Sequence, residues 1–534
     1  MESDGIIRDN SLFTAKTMRL YIALLLMMAL FCSTVLRINL GMSMVCMVNS
    51  TAFSSEILET DKQPFNVITS VSDLKKYVCL KKTVINEKID MGYHGTFLWS
   101  PSMQSTLFSA NFYGGIITII FSGYLADRFG AKSLLLMAII DCSVVSFLTP
   151  TIASISYTLF FISRMIMGLG EGFVIPTMSS MAARWFPSHE RSTAAAIYTS
   201  GNQLAGILGL LISSKLCSIN FLGGWPLIFY SFGLLGILWS IIWLIFASDE
   251  PQTNKWTSEN EKQYLKEITL GQIRKIAGSA KFHKPSIPWK KLFLCPPLWA
   301  NLIAQFSFNF GISFIQSFLP TYLKDILLLP LHQNGLFVMI PYIAMLIPKN
   351  IFAIISDNLK KSRILTPTMA CKIFQSFGNF GTAIAFFGLA FYVDCTTKVL
   401  FTLLLIFYGI SFSCGVSGFY TSILSIAPNY TGLMTSICMI FGMIGNATSP
   451  NIFSILNKNG TPEEWSRMYI AIAIVNICSG IVFLLFGSAD VQDWAISAKT
   501  SRVEDIQQNA IKLKISKKRK RTVSDVTVDE ITIT

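Results

Sequence analysis

The stretch RMIMGLGEG, residues Arg164 to Gly172, decides the interpretation of this chain because it places two opposite charges inside an apolar segment. The apolar run around it is long enough to cross a bilayer as one helix. Arg164 and Glu171 are separated by about two helical turns, so both side chains point to nearly the same side. Ionisable groups at membrane depth are costly unless they are paired or face water, and they commonly mark a pathway for substrate or protons. The alternative is a salt bridge that only joins two helices, and the glycines Gly168, Gly170 and Gly172 predict close packing.

The composition is typical of a polytopic membrane protein. Of the 534 residues, 52% are hydrophobic and only 14% are charged, against about 25% charged in soluble domains. The mean hydropathy is +0.53, and the length accommodates about twelve spans with their loops. The net charge of +13 lies mainly in short loops and in the tail. Because the positive-inside rule accounts for this distribution, it does not indicate a nucleic-acid partner.

The order of apolar segments predicts an all-α polytopic membrane protein with twelve transmembrane helices in two pseudo-symmetric six-helix bundles. A faint internal repeat supports two related halves, because AIISDNLKKS at 353–362 ends the eighth segment as GYLADRFGAK at 123–132 ends the second. Duplicated halves around a site at the membrane midplane are typical of secondary transporters. The predicted units are a cytosolic N-terminus (1–19), a first bundle (20–247) with an outside loop (49–95), a cytosolic linker (248–295), a second bundle (296–488) and a cytosolic basic tail (489–534).

Arg37, in the motif LRINLGMSM of the first segment, falls near mid-membrane at a depth similar to that of Arg164. Two arginines at one level would form a positive site for an anion. The alternative for Arg37 is that it snorkels to an interface. Position alone adds further candidates for substrate contacts. These are Asn111, Tyr113, Asn309 and Lys349, of which Lys349 either faces the cavity or snorkels.

Two acids are candidates for coupling the movement of an anion to that of a cation. Glu171 could exchange a proton or respond to a sodium ion, and Asp141 lies in the middle of the third segment. A carboxyl that only contributes to packing is an equally good interpretation of Asp141. The sequence contains no nucleophile–base set, phosphate loop or metal-ligand spacing, so neither an enzyme nor a metal site is predicted. A co-transported H⁺ or Na⁺ is expected in place of a resident cofactor.

A charged cluster in the short loop after the second segment predicts a conformational latch. The cluster comprises Gly123, Asp127, Arg128 and Lys132. Such a cluster can hold helix ends together in one conformation and release them in another. Gly123 is expected to permit close helix packing. The alternative is ordinary positive-inside charge.

The outside loop and the tail carry the remaining signals. Asn49-Ser50-Thr51 predicts glycosylation of Asn49 if this loop is lumenal or extracellular. Most of the eleven cysteines lie in apolar segments, so no disulfide framework is predicted. Cys79 with Cys395 is the one pair of loop cysteines considered. The run KKRKR at 517–521 predicts attraction to anionic lipid.

Taken together, these motifs resemble the major facilitator superfamily, and within it the anion/cation symporter family of sialin, the vesicular glutamate transporters and the type I sodium-phosphate cotransporters. The resemblance extends from Leu36 to Trp494 and is most specific in RMIMGLGEGFVIPTMSSMAARWFPSHERS. It implies that Arg37 and Arg164 bind an anion and that Glu171 takes part in proton coupling. Two positions depart from the glutamate branch: Phe108 replaces a histidine, and Phe308 replaces an arginine. The departures argue against glutamate packaging.

The functional hypothesis is a secondary active transporter of organic or inorganic anions, coupled to protons or sodium and working by alternating access. A sodium-dependent inorganic phosphate symporter is the nearest alternative, and a non-transporting ligand sensor with a transporter fold is an alternative of another class. A channel is disfavoured because nothing resembles a symmetric filter. The expected partners are a small anionic substrate and the bilayer, and a monomer is expected. The expected location is the plasma membrane or a lysosomal or vesicular membrane, with both termini cytosolic.

Overall fold

A computed structural model describes residues 17–49, 95–187, 190–219, 221–266, 288–427, 430–458, 460–492 and 494–495. These residues are helical apart from connecting loops and one isolated bridge between Val48 and Phe97. The predicted all-α fold is therefore confirmed. We call the end of the molecule where the first helix begins the terminal face, and the opposite end, where it stops, the loop face.

The first half of the chain contains six membrane-length helices. Their bounds are α1 Met18–Met47, α2 Pro101–Phe129, α3 Ala131–Ile155, α4 Tyr157–Trp185, α5 Thr193–Cys217 and α6 Trp225–Phe246. Helix α5 contains a π-helical turn at Ala205–Gly209. Helix α4 packs against both α2 and α3, while α1 packs against α5 and α6. The helix of the RMIMGLGEG stretch is thus central to the first bundle.

The second half repeats this plan. Its bounds are α7 Pro296–Asp325, α8 Leu331–Lys361, α9 Pro367–Tyr392, α10 Lys398–Ile426, α11 Thr431–Leu456 and α12 Pro462–Phe486. A 3₁₀ turn at Cys414–Val416 interrupts α10, and a short helix, Trp289–Phe293, precedes α7. Within the described residues, eleven of the twelve helices of the two halves are long and apolar enough to cross a membrane. Helix α11 has 26 residues and therefore the length as well, but its polar residues, Asn446 and Asn451 among them, lower its hydropathy.

Several helices begin where local capping chemistry predicts a start. Ser100 accepts a hydrogen bond from the Met103 N–H ahead of Pro101, and Thr366 caps α9 in the same way ahead of Pro367. Thr461 and Glu464 form a capping box at α12. A side-chain oxygen at the N-cap satisfies an otherwise unpaired N–H, and proline tolerates the first helical position because it lacks one. Local sequence therefore sets these boundaries.

The two halves meet along three helix pairs, namely α2 with α11, α1 with α7, and α5 with α8. Toward the loop face these pairs are closed by hydrogen bonds between the halves. Ser102 and Ser454 share one of 2.7 Å, the Lys324 ammonium donates to the Val45 carbonyl at 3.1 Å, and the Ser214 hydroxyl donates to the Leu331 carbonyl at 2.7 Å. The conformation described is therefore closed at the loop face.

A disulfide joins Cys46 at the end of α1 to Cys217 at the end of α5, with their Cα atoms 6.5 Å apart. The prediction that the chain has no disulfide framework is wrong in this respect. The apolar context of these cysteines obscured the bond, because only the packing of α1 against α5 brings them together at the loop face. Cys395, between α9 and α10, is also disulfide-bonded. Its candidate partner Cys79 lies outside the described residues.

Candidate functional site

An ion pair between α1 and α4 forms the centre of the candidate site. Arg37 Nε lies 3.0 Å from Glu171 Oε1, and both side chains are about 15% exposed. The pair is close without the alignment of a hydrogen bond, because Arg37 Nε has no hydrogen-bond partner among the described residues. The Asn111 amide of α2 donates to the second carboxylate oxygen of Glu171. The Arg37 guanidinium also lies 5.5 Å from the centre of the Phe112 ring, a favourable position for a cation.

Arg164 lies beside this pair but is held differently. Its side chain is 1% exposed, and Nη2 donates to the backbone carbonyl of Arg37 at 3.1 Å. Nη1 lies 3.3 Å from the Met167 sulfur, and Nε has no partner among the described residues. Since backbone and sulfur acceptors carry no formal charge, neither neutralises the guanidinium. Arg164 therefore keeps an excess of positive potential next to Arg37.

Both arginines line one small cavity of about 20 Å³. Its other walls include Asn111, Phe108 and Phe112 of α2 and Gln316 and Ser317 of α7. A cavity of this size holds about one water molecule. The site is therefore collapsed around its own ion pair, and an anion of any size requires the two halves to separate here.

The glycines of the RMIMGLGEG stretch explain how α2, α3 and α4 approach closely enough to build the site. A Cβ at Gly168 would overlap the Asn111 carbonyl of α2, and a Cβ at Gly172 would overlap the Thr118 hydroxyl of the same helix. A Cβ at Gly170 would overlap the Asp141 carboxylate of α3. Small residues let helix backbones come together in a membrane. The approach at Gly168 places Asn111 beside Glu171.

The contribution of α7 was missed by the sequence prediction. A Cβ at Gly41 would lie 2.7 Å from the Gln316 carbonyl, so α1 and α7 touch at this glycine. Gln316 and Ser317 thereby become cavity walls. The sequence did show these two polar residues inside an apolar segment. Which helix they face depends on the packing of α7 against α1, and these two helices are far apart in sequence.

Asp141, the second predicted coupling acid, does not line the cavity. Its carboxylate packs against Gly170 of α4, and Oδ2 forms no hydrogen bond with the described residues. The adjacent Cys142 thiol donates to the Met167 carbonyl at 3.6 Å. Gly170 and Glu171 are consecutive on a helix and point in different directions, so Gly170 faces α3 while Glu171 faces Arg37 of α1. Asp141 is thus separated from the ion pair by α4.

The other predicted substrate contacts lie between helices. The Tyr113 hydroxyl bonds to the Asn451 side chain of α11 at 3.0 Å and joins the two halves. Asn309 donates to Gln305 of its own helix at 2.8 Å and accepts from Asn446 at 3.3 Å. The Lys349 ammonium donates to the Thr199 hydroxyl of α5 at 3.3 Å. The structure brings Arg37, Arg164, Glu171 and Asn111 together, and it places Tyr113, Asn309 and Lys349 elsewhere.

A second cavity, of about 10 Å³, lies within the second half and is uncharged. Its walls include Phe308 of α7, Gln375 and Asn379 of α9, and Asn476 of α12. Gln375 donates to Asn379 at 3.1 Å, and Asn379 donates to Ser479 at 3.2 Å. Among the described residues, the formal charges that line these two cavities therefore belong to the first half.

The predicted latch involves a residue that the sequence prediction overlooked. Asp249, just after α6, accepts from the Lys132 N–H at 2.9 Å and lies 3.9 Å from Arg184 of α4. The Lys132 ammonium donates to the Leu244 carbonyl at 3.3 Å. Asp249 therefore ties together the starts and ends of three helices at the terminal face.

The other latch residues are more exposed. Arg128 donates to the Tyr124 hydroxyl at 3.2 Å on the same helix, and the Asp127 side chain lies outside the described part of the chain. Among the described residues, nothing lies within 4 Å of the position of a Cβ on Gly123. The expectation that Gly123 permits close packing is wrong for this conformation, because no described residue packs against α2 there.

A buried charge cluster at the terminal face was not predicted. Arg19, at the start of α1, has a fully buried side chain that pairs with Glu190 and, at 3.0 Å, with Glu261. Glu261 also accepts from the Met18 N–H at 2.8 Å, and the Arg19 guanidinium lies 5.1 Å from the Tyr264 ring centre. The cluster holds the linker residues around Glu261 against the first bundle.

Two predictions concern the ends of the described regions. Asn49 follows α1 at the loop face, where its N–H donates to the Phe97 carbonyl at 3.0 Å. The rest of its glycosylation sequon, most of the outside loop, and the basic run at 517–521 lie outside the described residues. Glycosylation and lipid attraction stay predictions.

Comparison with known proteins assigns the family. The chain matches the Major Facilitator Superfamily over residues 22–450, most of its length, and it is 30% identical to human sialin over 90% of the chain and 91% of sialin. It belongs to the anion/cation symporter family of this superfamily. The transporter is also 36% identical to the uncharacterized transporter slc-17.3 of Caenorhabditis elegans, over 93% of this chain and 92% of that one. The resemblance inferred from the sequence motifs is confirmed.

Two further similarities support this assignment. A putative inorganic phosphate cotransporter of Drosophila ananassae is 31% identical, over 86% of the transporter and 90% of that protein. Among solved structures, the D-xylose–proton symporter matches with a TM-score of 0.62 over 88% of the transporter and 98% of that chain, at 15% identity. At this identity the structural match concerns the fold alone. All of these relatives are transporters, in agreement with the prediction that the chain is not an enzyme.

Proposed function

We propose that the transporter is a proton-coupled symporter of a small anion that works by alternating access. The observation that carries this proposal is the Arg37–Glu171 ion pair beside the excess positive charge of Arg164. In this arrangement an internal carboxylate occupies the place in which an anionic substrate would find its strongest partner. The anion and Glu171 therefore compete for Arg37.

Protonation of Glu171 decides this competition. A neutral carboxylic acid gives up most of its attraction to a guanidinium, which releases Arg37 for a carboxylate or phosphate group. An anion then binds between Arg37 and Arg164, and the proton stays on Glu171 for as long as the anion holds Arg37. Loss of the anion restores the pair and expels the proton. Proton and anion thus move in the same direction.

The surroundings of Glu171 favour a proton over sodium as the coupling ion. Both carboxylate oxygens face nitrogen donors, one from Arg37 and one from Asn111. Sodium binds oxygen acceptors and is repelled by a nearby guanidinium, so this environment is poor for a metal cation. A proton needs only the carboxylate itself.

Alternating access follows from where the halves touch. The described contacts of Ser102 with Ser454 and of Lys324 with Val45 close the loop face. Opening this face must break these bonds and bring the terminal ends of the helices together. No described residue lies within 4 Å of a Cβ on Gly123, and the space there is then available for closure. Exchange between the two arrangements carries the anion across the membrane.

The distribution of cysteines supports a cytosolic terminal face. Disulfide-bonded Cys46, Cys217 and Cys395 lie at the loop face, while Cys295 and Cys371 at the terminal face are free. Disulfides persist in oxidising compartments and are rare in the cytosol. The loop face is therefore extracellular or lumenal, with Asn49 on the same side. A plasma-membrane, lysosomal or vesicular location fits this orientation.

Uptake into proteoliposomes tests the proposal. Purified transporter would be given radiolabelled sialic acid, phosphate, glutamate or urate under separate proton and sodium gradients. We expect accumulation of at least one anion under a proton gradient and none under sodium alone. Arg37→Gln should lower this uptake at least tenfold, since a hydrogen bond to a charged group is worth about 1.5–3 kcal/mol. Binding without accumulation under every gradient would instead identify a non-transporting sensor.

Sodium-dependent phosphate symport is the second candidate, favoured by one observation. The sodium-dependent phosphate transport protein 1 of Mus musculus is 25% identical over 79% of this chain and 89% of that protein. Phosphate accumulation driven by sodium in the same assay, and unchanged by Glu171→Gln, would establish this candidate. It would also remove Glu171 from the coupling mechanism.

A further inference from the structure

We propose that Lys349 forms a second anion-binding subsite, distinct from the arginine cavity and located between that cavity and the terminal face. The subsite would hold the charged group of the transported anion as it enters or leaves at the terminal face. This inference rests on the proposed anion transport and adds a second binding site to the path of the anion.

The subsite lies where the two halves face each other along α5 and α8. The Lys349 ammonium reaches across from α8 to the Thr199 hydroxyl of α5 at 3.3 Å. The side chain is only partly exposed, and among the described residues no carboxylate pairs with it. Thr199 itself donates to the Ala195 carbonyl at 2.7 Å, so its hydroxyl oxygen remains the acceptor for the ammonium.

Further polar side chains lie on α8 and α5 nearer the loop face than Lys349 and Thr199. Two turns nearer the loop face, the ring of Tyr342 of α8 occupies the space left by Gly206 of α5. The Tyr342 hydroxyl is buried without a hydrogen-bond partner among the described residues. Residues seven apart share one face of a helix, so Tyr342 and Lys349 lie on one side of α8, about 10 Å apart along its axis.

Helix α5 contributes polar side chains from the opposite side. Asn202 and Gln203 fall between Thr199 and Gly206, on the same face at helical spacing. The buried side-chain carbonyl oxygens of both residues lack donors among the described residues. Unpaired buried polar groups are costly unless water or a ligand satisfies them. The interface of α5 and α8 therefore forms a polar passage, whose unpaired groups an arriving anion or its water could satisfy.

The charge of Lys349 gives this passage its selectivity. An ammonium that is partly withdrawn from water and has no carboxylate partner attracts anions and repels cations. Asn202, Gln203 and Thr199 can hold the water shell of an arriving anion while its charge stays with the lysine. The ligand class is a small carboxylate or phosphate, the same anion that Arg37 and Arg164 receive. Chloride shares this chemistry and is the competing occupant.

Uptake measured separately from the two faces tests the subsite. Right-side-out vesicles present the loop face to added anion, and inside-out vesicles from the same cells present the terminal face. We expect Lys349→Gln to raise the KM at the terminal face about tenfold, because one charged hydrogen bond to the anion is lost. The KM at the loop face should change by less than about twofold. Lys349→Arg should restore the terminal-face KM. Lys361→Gln, which removes an exposed charge from the same helix, is the matched control.

Each outcome has a definite meaning. An equal rise of both KM values would overturn the proposal by assigning Lys349 to the central site, and unchanged values at both faces would leave it without a binding role. We expect chloride to compete with the anion at the terminal face of the wild type, and to compete less in Lys349→Gln. Activation of transport by chloride would instead make chloride the resident ligand, and would overturn the proposal that Lys349 binds the transported anion. Transport that is lost in Arg37→Gln but normal in Lys349→Gln would contradict this inference alone. Absence of wild-type transport would contradict the proposed function itself.

Discussion

Arg164 of α4 donates a hydrogen bond across to α1 through the backbone carbonyl of Arg37, at 3.1 Å, and not through the Arg37 side chain. The two arginines of the cavity are therefore held on adjacent helices by the main chain, which no substitution at Arg37 removes. Arg37 in turn pairs with Glu171. One arginine thus has a structural attachment to the fold, whereas the other has the partner that the proposed anion would replace.

Substitution of the two arginines should separate binding from stability. Arg37→Gln should lower anion uptake at least tenfold and leave the melting temperature of the detergent-solubilised protein nearly unchanged, because Asn111 still donates to Glu171. Arg164→Gln should lower both quantities, since it removes the bond between α4 and α1. Uptake assays combined with thermal unfolding measure the difference. Equal loss of stability in both variants would contradict the proposed division of roles.

Glu171→Gln should uncouple transport without abolishing it. An amide cannot release a proton, so the variant mimics the protonated acid and leaves Arg37 available for the anion. We expect counterflow exchange of labelled for unlabelled anion to persist while proton-driven accumulation is lost. The two assays in the same proteoliposome preparation provide the comparison. Accumulation at the wild-type level in Glu171→Gln would show that the coupling proton is carried elsewhere, with Asp141 as the next acid to test.

Gly168→Ala should destabilise the protein strongly, whereas Gly123→Ala should be tolerated. A methyl group at Gly168 overlaps the Asn111 carbonyl, while one at Gly123 has no described residue within 4 Å. Forcing a methyl group into a packed interface costs about 1–3 kcal/mol or more, and a glycine-to-alanine change in an open helical position is favourable by up to about 1 kcal/mol. Thermal unfolding of the two purified variants measures both effects. A normal melting temperature for Gly168→Ala would show that α2 and α4 can separate without cost.

Glu261→Gln should weaken the attachment of the linker to the first bundle. The substitution removes one partner from the fully buried Arg19 side chain, and breaking a buried pair costs about 3–5 kcal/mol. Glu190 still pairs with Arg19 in this variant, so we expect the lower end of that range. Glu259→Gln is the matched control, because Glu259 is 87% exposed and lies on the same stretch. Limited proteolysis of the linker and thermal unfolding would report the difference. Identical behaviour of the two variants would contradict the structural role of the cluster.

Local chemistry explains why much of the fold could be predicted. The apolar segments are long enough to span a bilayer, and in a membrane the backbone hydrogen bonds of such segments can only be satisfied within helices. The central charges were predictable for a related reason, since Arg37, Arg164 and Glu171 would be too costly at this depth without a function or a partner. The position of a residue along a helix can be counted from residue numbers. The direction in which its side chain points relative to another helix cannot be obtained in this way.

The contacts that the sequence analysis missed all depend on the direction of side chains relative to neighbouring helices. Gln316 reaches the arginine cavity because Gly41 lets α7 approach α1, and Asp249 reaches Lys132 because α6 returns to the end of α2. Cys46 and Cys217 are 171 residues apart in sequence and meet only where α1 packs against α5. Tyr113 and Asn309, chosen by position alone, join helices and do not line the arginine cavity.

By itself, the sequence determined the number and order of the membrane-length segments and the positions of three charged residues along them, because hydropathy and helical rise are local properties of the chain. The tertiary structure alone decided which partner each of these charged side chains has. Arg164 and Glu171 share a helix, yet Glu171 pairs with Arg37 of α1 and Asn111 of α2, while Arg164 bonds to the α1 backbone. These partners follow from the close approach of helices at Gly168 and Gly41, which is a property of packing between segments distant in sequence.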